Sequence, residues 1–358
     1  MKKATLILLT VLCLSLGLAE ISKAQEYVLT LNLMIAPIHN RWKSAIKPWV
    51  DEIEKRSNGR IKIEPYFAEA LSKQADVIDS VRTGVADLGE SHFSVGIGRF
   101  PFHEQLLNNV LPSNCLTDPA AIMRGMQAAF PEQAGRDYAG TKLLFTEALS
   151  LGMVIGTRDK PVTTLADLQG LKLGITGGGV RLERAQALGA SVVGVTSPDL
   201  YMSLEKGVMD GAVVDFELMI SRRLGDLIKH ITLVNMGSTV FYCVMNPDAY
   251  NRLPDELKKV IDDVSGEFAQ KLFTGFWDGM EFTSLEKWQK EMGGQLHVLS
   301  AEDYAKIDAI AAKPTTDWVT FMNAKGLPGE AMLQKFRELE KQHTVPWLDS
   351  KLMNYVKK

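Results

Sequence analysis

The chain has 358 residues, 46% of them hydrophobic and 23% charged, with a formal net charge of −3. That is the balance of a globular protein, and the small acidic excess argues against nucleic acid or an anionic membrane surface as partner. Three cysteines are too few for a disulfide scaffold.

At the N-terminus, Lys2 and Lys3 precede a run from Ala4 to about Ala19 that is dominated by apolar residues and unbroken by any charge. Ser22-Lys23-Ala24 then puts small residues at the two positions a signal peptidase reads. The run is shorter than the roughly 20 residues a membrane-spanning helix needs, and Glu20 and Lys23 follow it. Residues 1–24 therefore read as a signal peptide and Gln25 as the start of an exported chain. Leu12 stands where a lipoprotein signal would need a small residue before Cys13, so lipidation is not expected. About 330 residues remain, more than one hydrophobic core usually supports, which predicts two lobes. Cys115 and Cys243 are left, either as a bridge or as two buried thiols.

Tyr27 to Ile35 alternates like a strand, and Ala36-Pro37-Ile38-His39-Asn40 breaks it. Trp42, Ile46, Trp49 and Ile53 recur at helical spacing between Arg41 and Arg56, and Ser57-Asn58-Gly59 stops that helix. A second strand over Arg60–Tyr66, a helix over Leu71–Thr83 and a third strand from Val85 complete a parallel α/β unit. The pattern returns with extended segments at Leu143–Thr146, Met153–Gly156, Gly170–Ile175, Gly189–Val193 and Gly207–Val214. Helices at Val180–Leu188 and Pro198–Lys206 alternate with them, and the chain after Asn246 reads as mostly helical, with stretches over Asp255–Phe273 and Thr283–Glu291.

Catalytic and metal-binding patterns are missing from this sequence. The six histidines, His39, His92, His103, His230, His297 and His343, have no partners at metal-ligand spacing, so no metal site is expected. There is no Gly-x-Ser-x-Gly elbow and no Walker motif. Gly177-Gly178-Gly179 follows a strand, but Leu182 stands where a dinucleotide site would need its third glycine. The triplet is then either a nest of backbone amides for an anion or a plain strand-to-helix turn. Arg181 beside it is either a forked donor for a carboxylate or sulfonate, or a solvated charge matched with Glu183 or Glu205.

Several ordered segments resemble one family. Asn58-Gly59-Arg60-Ile61-Lys62-Ile63-Glu64-Pro65-Tyr66 and Asp79-Ser80-Val81-Arg82-Thr83-Gly84-Val85-Ala86-Asp87-Leu88-Gly89 are similar to the first lobe of solute receptors from TRAP (tripartite ATP-independent periplasmic) transporters of the DctP type. Leu165-Ala166-Asp167-Leu168-Gln169-Gly170-Leu171-Lys172, Ala187-Leu188-Gly189-Ala190 and Leu204-Glu205-Lys206-Gly207-Val208-Met209-Asp210-Gly211-Ala212 resemble the second, and Met245-Asn246-Pro247 fits as well. The resemblance implies an α/β two-lobe clamshell of the periplasmic-binding-protein kind, with crossing strands and a long connecting helix. It further implies a small organic acid, commonly a carboxylate, captured in the periplasm; the Arg181 reading admits a sulfonate too, and the missing motifs predict no cofactor. Delivery would be to large and small integral membrane subunits. Some positions depart from the family. Gly174 stands where members place the arginine that pairs with the ligand carboxylate, and Val154 where sialic-acid receptors place another. Glu69-Ala70-Leu71-Ser72 replaces a Gly-Gln-Leu-Gly turn, and Val214 replaces an asparagine.

The lobes are expected to comprise residues 25–151 with about 240–279, and residues 152–239 with about 280–358, the latter including the C-terminal helices. Open α/β sheets bind ligands beyond the C-terminal ends of their strands. On that rule the expected cleft residues are Pro37, His39, Phe67, Ser91, His92 and Phe93 from the first lobe. Glu147, Thr176, Gly177, Arg181, Asp215 and Phe216 are expected from the second, with Phe241 from a crossing strand. Glu147, Asp215 and Glu217 leave open a receptor for a cationic or neutral solute, and a secreted hydrolase is the alternative of another class.

Overall fold

Three Leu-, Ile- and Val-rich segments form the strands β1 (Tyr27–Leu33), β2 (Ile61–Tyr66) and β3 (Leu88–His92). They pair in parallel, Tyr27 opposite Ile61 and Leu31 opposite Leu88, because the helices between them return the chain to the same edge. The computed structural model describes residues 27–95, 98–109, 111–176, 180–196 and 199–356. The leader expected over residues 1–24 lies outside that range.

The chain leaves the first sheet through β5 (Lys142–Ala148), after the short β4 (Cys115–Thr117), and enters a second sheet at β6 (Val154–Thr157). The strands β7 (Lys172–Thr176), β8 (Ser191–Val195), β9 (Gly211–Val214) and β10 (His230–Thr232) follow, before β11 (Val240–Met245) returns to the first sheet. Two last strands are β12 (Gln295–His297) and β13 (Thr344–Pro346). The sheet orders are β2-β1-β3-β11-β5 and β12-β10-β6-β9-β7-β8, and β13 pairs with β4. A long helix, Ala269–Met292, packs on β5 of the first sheet and on the helix Phe216–Ser221 beside the second. This is the α/β two-lobe clamshell with crossing strands and a long connecting helix.

Some local expectations are corrected. The helix expected over 71–83 is confined to Val77–Arg82 after a 3-10 turn. The Asn32 amide holds the missing turn: its Oδ1 accepts from the amides of Leu71 and Ser72, and its Nδ2 donates to the Ser72 carbonyl. Near the C-terminus the pattern over 255–273 breaks at Gly266, whose ψ of −121° is not helical. The chain then runs unbroken to Met292, absorbing the separate helix expected at 283–291.

The C-terminal helices, expected with the second lobe, pack mainly on the first. Met332, Phe336 and Leu339 make the apolar stripe of the helix Gly329–Gln342, which lies on Pro119–Ala129. With Trp318 and Met322 they share a core with Val77, Phe100 and Tyr242. The helix Ala301–Ala324 also touches the helix Val180–Ala187, so it spans both lobes. Cys115 and Cys243 are separate buried thiols. Among the described residues no helix is long and apolar enough to cross a membrane.

Two glycines meet where the crossing segments run side by side. Gly152 has φ +72°, and a Cβ there would sit 2.9 Å from the Gly237 carbonyl oxygen, which accepts from the Met153 amide at 2.7 Å. Gly152→Ala should cost about 1–3 kcal/mol, the usual expense of a non-glycine residue in this conformation. Urea unfolding checks it; an unchanged midpoint would show that this crossover relaxes freely.

Candidate functional site

Between the lobes, over the crossing strands, lies a cavity of about 590 Å3. Met34, Ile35, His39, Arg41, Ala68, Glu69, Gln74 and His92 line it from the first lobe, and Thr176, Thr196, Asp215, Glu217, Leu218, Ser221 and Arg222 from the second. Leu149, Met153, Thr239 and Phe241 form the wall where the chain crosses, with Trp277 of the long helix. Ala68 and Glu69 turn the chain at the rim with φ of +53° and +63°, their amides held by the carbonyls of Ile35 and Leu33. Left-handed non-glycine residues of this kind cost about 1–3 kcal/mol each and cluster at ligand clamps.

Strand pairing creates the charged centre. In β11, Phe241 lies opposite Glu147 of β5 on one side and His92 of β3 on the other, and Cys243 lies opposite Glu90. Arg41, 1% exposed, projects into this group from the first turn of its helix. Its Nη2 is 2.6 Å from Glu90 Oε1 and 2.5 Å from Glu147 Oε1, and its Nε donates to the latter at 3.1 Å. Trp277 Nε1 donates to Glu147 Oε2 at 2.8 Å. The guanidinium lies 4.2 Å above the Phe241 ring, which stacks on Trp277 at 5.4 Å. Burial opposes the charge on Arg41, but Glu147 and Glu90 outweigh it and raise its pKa. Burial raises the Glu90 carboxyl too, which brings the group toward neutrality. Arg41 Nη1 has no hydrogen-bond partner.

The second-lobe wall is acidic. Asp215 caps the helix Phe216–Ser221, its Oδ1 accepting from the Leu218 amide at 3.0 Å, and Glu217 Oε2 accepts from Ser221 Oγ at 2.7 Å. Behind them Glu281, 0% exposed, accepts from the Phe216 amide at 3.1 Å. Burial, then the charge of Glu217, pushes the Asp215 carboxyl up to about 7. Burial likewise raises Glu217 and, with help from Asp215, Glu281. His39 and His92 are pulled down to about 4 and about 3 by burial and by Arg41, with Arg222 adding to the first and Arg181 to the second.

These shifts give opposite pH slopes. Asp215 contributes stability that is full below about 4 and is lost as pH rises to about 7. The two histidines contribute stability that is full above 6.5 and is lost as pH falls toward 3. Asp215→Asn should therefore gain on the wild type as pH rises from about 4 to 7, by roughly 3–4 kcal/mol at most. Denaturant melts across that range check it; a pH-independent difference would show that Asp215 does not carry the slope.

Five of the expected residues line the cavity: His39, His92, Thr176, Asp215 and Phe241. Others stand behind it. Glu147 anchors Arg41 and Trp277, and Ser91 donates to the carbonyl of Gln74. Arg181, 5% exposed, donates to the Ser238 carbonyl at 3.2 Å and lies in the field of Asp215. It is no solvated helix charge, and burial pulls its pKa down to about 10. Phe93 is corrected to core, stacked 3.9 Å from the His103 ring, and Phe216 to core beside Trp288. Phe67 packs edge-on against Trp42 at 4.9 Å, Pro37 is exposed, and Gly177 lies outside the described residues.

Sequence reasoning missed Arg41, Glu69, Gln74, Arg222 and Trp277 as cavity residues. A signal for Arg41 existed: a basic residue in a helix's first turn opposes the helix dipole and so calls for anionic partners. The missing arginine has a packing reason, since a Cβ at Gly174 would lie 2.2 Å from Met209 Sδ in the core. His230 and His297, unpaired by spacing, meet at 3.1 Å between β10 and β12. No cluster of three or more potential metal ligands occurs among the described residues.

Two α/β lobes joined by crossing strands, with a polar cavity over the crossing, define a clamshell solute receptor. The chain belongs to bacterial extracellular solute-binding protein family 7, DctP, whose pattern matches residues 34–319, and is a solute-binding receptor of the TRAP class. The C4-dicarboxylate-binding periplasmic protein DctP of Rhodobacter capsulatus is 24% identical over 306 residues, 82% of this chain and 86% of that protein. A solved marine-metagenome TRAP receptor specific for aromatic acids, in complex with 3-hydroxybenzoate, is 30% identical over 89% of this chain and 99% of its own, with a TM-score of 0.78. A receptor from Rhodoferax ferrireducens with copurified benzoate is 27% identical over 88% of this chain and 98% of its own, with a TM-score of 0.76.

Proposed function

We propose that this receptor captures a small monocarboxylic acid with a largely apolar body and hands it to the large and small integral membrane subunits of a TRAP transporter. The observation that carries the reading is Arg41, a buried guanidinium on the cavity wall with Nη1 unpartnered. A carboxylate would meet that donor, replacing in part the family arginine absent at Gly174. Met34, Ile35, Leu149, Met153, Phe241 and Trp277 offer a ring or aliphatic chain an apolar wall. The ligands named for the aromatic-acid and benzoate receptors are of this class. His39, His92, Thr176, Asp215 and Phe241 are the proposed contacts beside Arg41, with Arg181 acting from behind through Asp215.

The hinge is proposed to lie at residues 149–153 and 233–239, with most of the C-terminal helices moving with the first lobe. Residues 1–24 are proposed to direct export to the periplasm and to be removed there. Titration calorimetry with a panel of monocarboxylates tests the reading: at least one acid should bind saturably, and a panel in which none does would refute it. Small-angle scattering should show a smaller radius of gyration with that acid bound, because a ligand touching both lobes favours the closed form. A second reading, favoured by Asp215 and Glu217 on the wall, is a cationic or neutral solute, which an amine panel tests.

A further inference from the structure

Two side chains that line the cavity from opposite lobes each keep one buried polar atom without a partner. On the first lobe it is Arg41 Nη1, a donor; on the second it is Glu217 Oε1, an acceptor. Glu217 is 7% exposed, and Ser221 satisfies only its other oxygen. Arg222 on the same wall acts on Glu217 through its charge, without a hydrogen bond or ion pair to it among the described residues, while Asp215 Oδ1 and Glu281 Oε2 are acceptors already taken by the amides of Leu218 and Phe216. Beside Arg222, the second lobe thus presents carboxyl acceptors at Asp215 and Glu217, one of them, Glu217 Oε1, unmatched. A buried acceptor left unmatched is unfavourable, and a bare carboxylate ligand facing it would add repulsion.

We propose that Glu217 selects, among monocarboxylic acids, those carrying a second group that donates a hydrogen bond, so that the ligand bridges Arg41 on one lobe and Glu217 on the other. The inference rests on the acid reading above and deepens it from carboxylate to hydroxy- or amino-substituted carboxylate. Both open valences are met only when one molecule spans the cleft, which ties donor recognition to closure. Orientation follows as well: the carboxylate turns to the open donor of Arg41, and the ligand's own donor turns to the open acceptor of Glu217.

The test is calorimetry on the purified exported receptor with matched probes: benzoate, 3-hydroxybenzoate and 3-(aminomethyl)benzoate, then phenylacetate and its 3-hydroxy derivative. In the wild type a donor-bearing acid should bind at least about tenfold more tightly than its parent, the worth of one hydrogen bond to a charged group. The hydroxyl and ammonium arms distinguish the two donor chemistries. Glu217→Leu should bring the ratio within about threefold, and Glu217→Gln, which retains an amide oxygen, should keep part of it. Parent acids that bind as well as their hydroxylated partners would overturn the inference and leave the acid reading standing. A ratio that survives Glu217→Leu would also overturn it. If no probe of either kind binds and the wider monocarboxylate panel is silent too, the acid reading fails and takes this inference with it. The wild-type comparison stands even if the variants fold poorly.

Discussion

Arg41→Ala should abolish binding of the acid ligand and destabilise the empty receptor by about 3–5 kcal/mol, the usual cost of stripping a buried ion pair of one partner. Arg41 is the cation that bridges Glu90 and Glu147, both buried, and its removal takes from both carboxylates the charge that pairs with them. The stacking of the guanidinium on Phe241 goes with it. Loss of a desolvated charged contact to the ligand adds about 2–5 kcal/mol in affinity, roughly 30- to several-thousand-fold. A triple variant separates the two effects. Arg41→Met with Glu90→Gln and Glu147→Gln removes the charge imbalance, so it should regain most of the stability while still failing to bind. Urea unfolding and calorimetry read the two quantities. A single variant that melts and titrates like the wild type would remove Arg41 from the site altogether.

Trp277→Ala should cost about 3–5 kcal/mol of stability, the range for deleting a large buried aromatic. Three contacts meet at this residue: the indole donates to Glu147 at 2.8 Å, stacks on Phe241, and lies edge-on to Phe276 at 5.0 Å. Because Trp277 stands on the helix that touches both lobes, its loss loosens Glu147, and through it Arg41, together with the cavity wall. Trp277→Phe keeps most of the apolar area but leaves Glu147 Oε2 unpaired, at a cost of about 1–3 kcal/mol. The phenylalanine variant should retain measurable ligand affinity and the alanine variant should not. Equal losses in both would mean that the hydrogen bond, rather than the area, decides the site.

Much of the fold was legible in the chain because it is written in local chemistry. The alternation of β1, the helical spacing of Trp42, Ile46, Trp49 and Ile53, and the glycine stops at Gly59, Gly84, Gly189 and Gly207 concern neighbours a few residues apart. Hydrophobic period and turn residues report those directly. The cavity was legible where a residue ends or follows a strand, as His39, His92, Thr176 and Asp215 do, and at Phe241 on a crossing strand. The rest depended on distance in the chain. Arg41 meets Glu90 and Glu147, the latter 106 positions away, because β11 inserts between β3 and β5, and no pattern within a segment encodes that order. Trp277 reaches the wall because the break at Gly266 launches one unbroken helix across both lobes. Phe93 and Phe216, by contrast, end strands as a ligand contact would, yet they point into core. A strand's alternation says that its two faces differ; only the packing of the layers decides which face meets solvent, ligand or core.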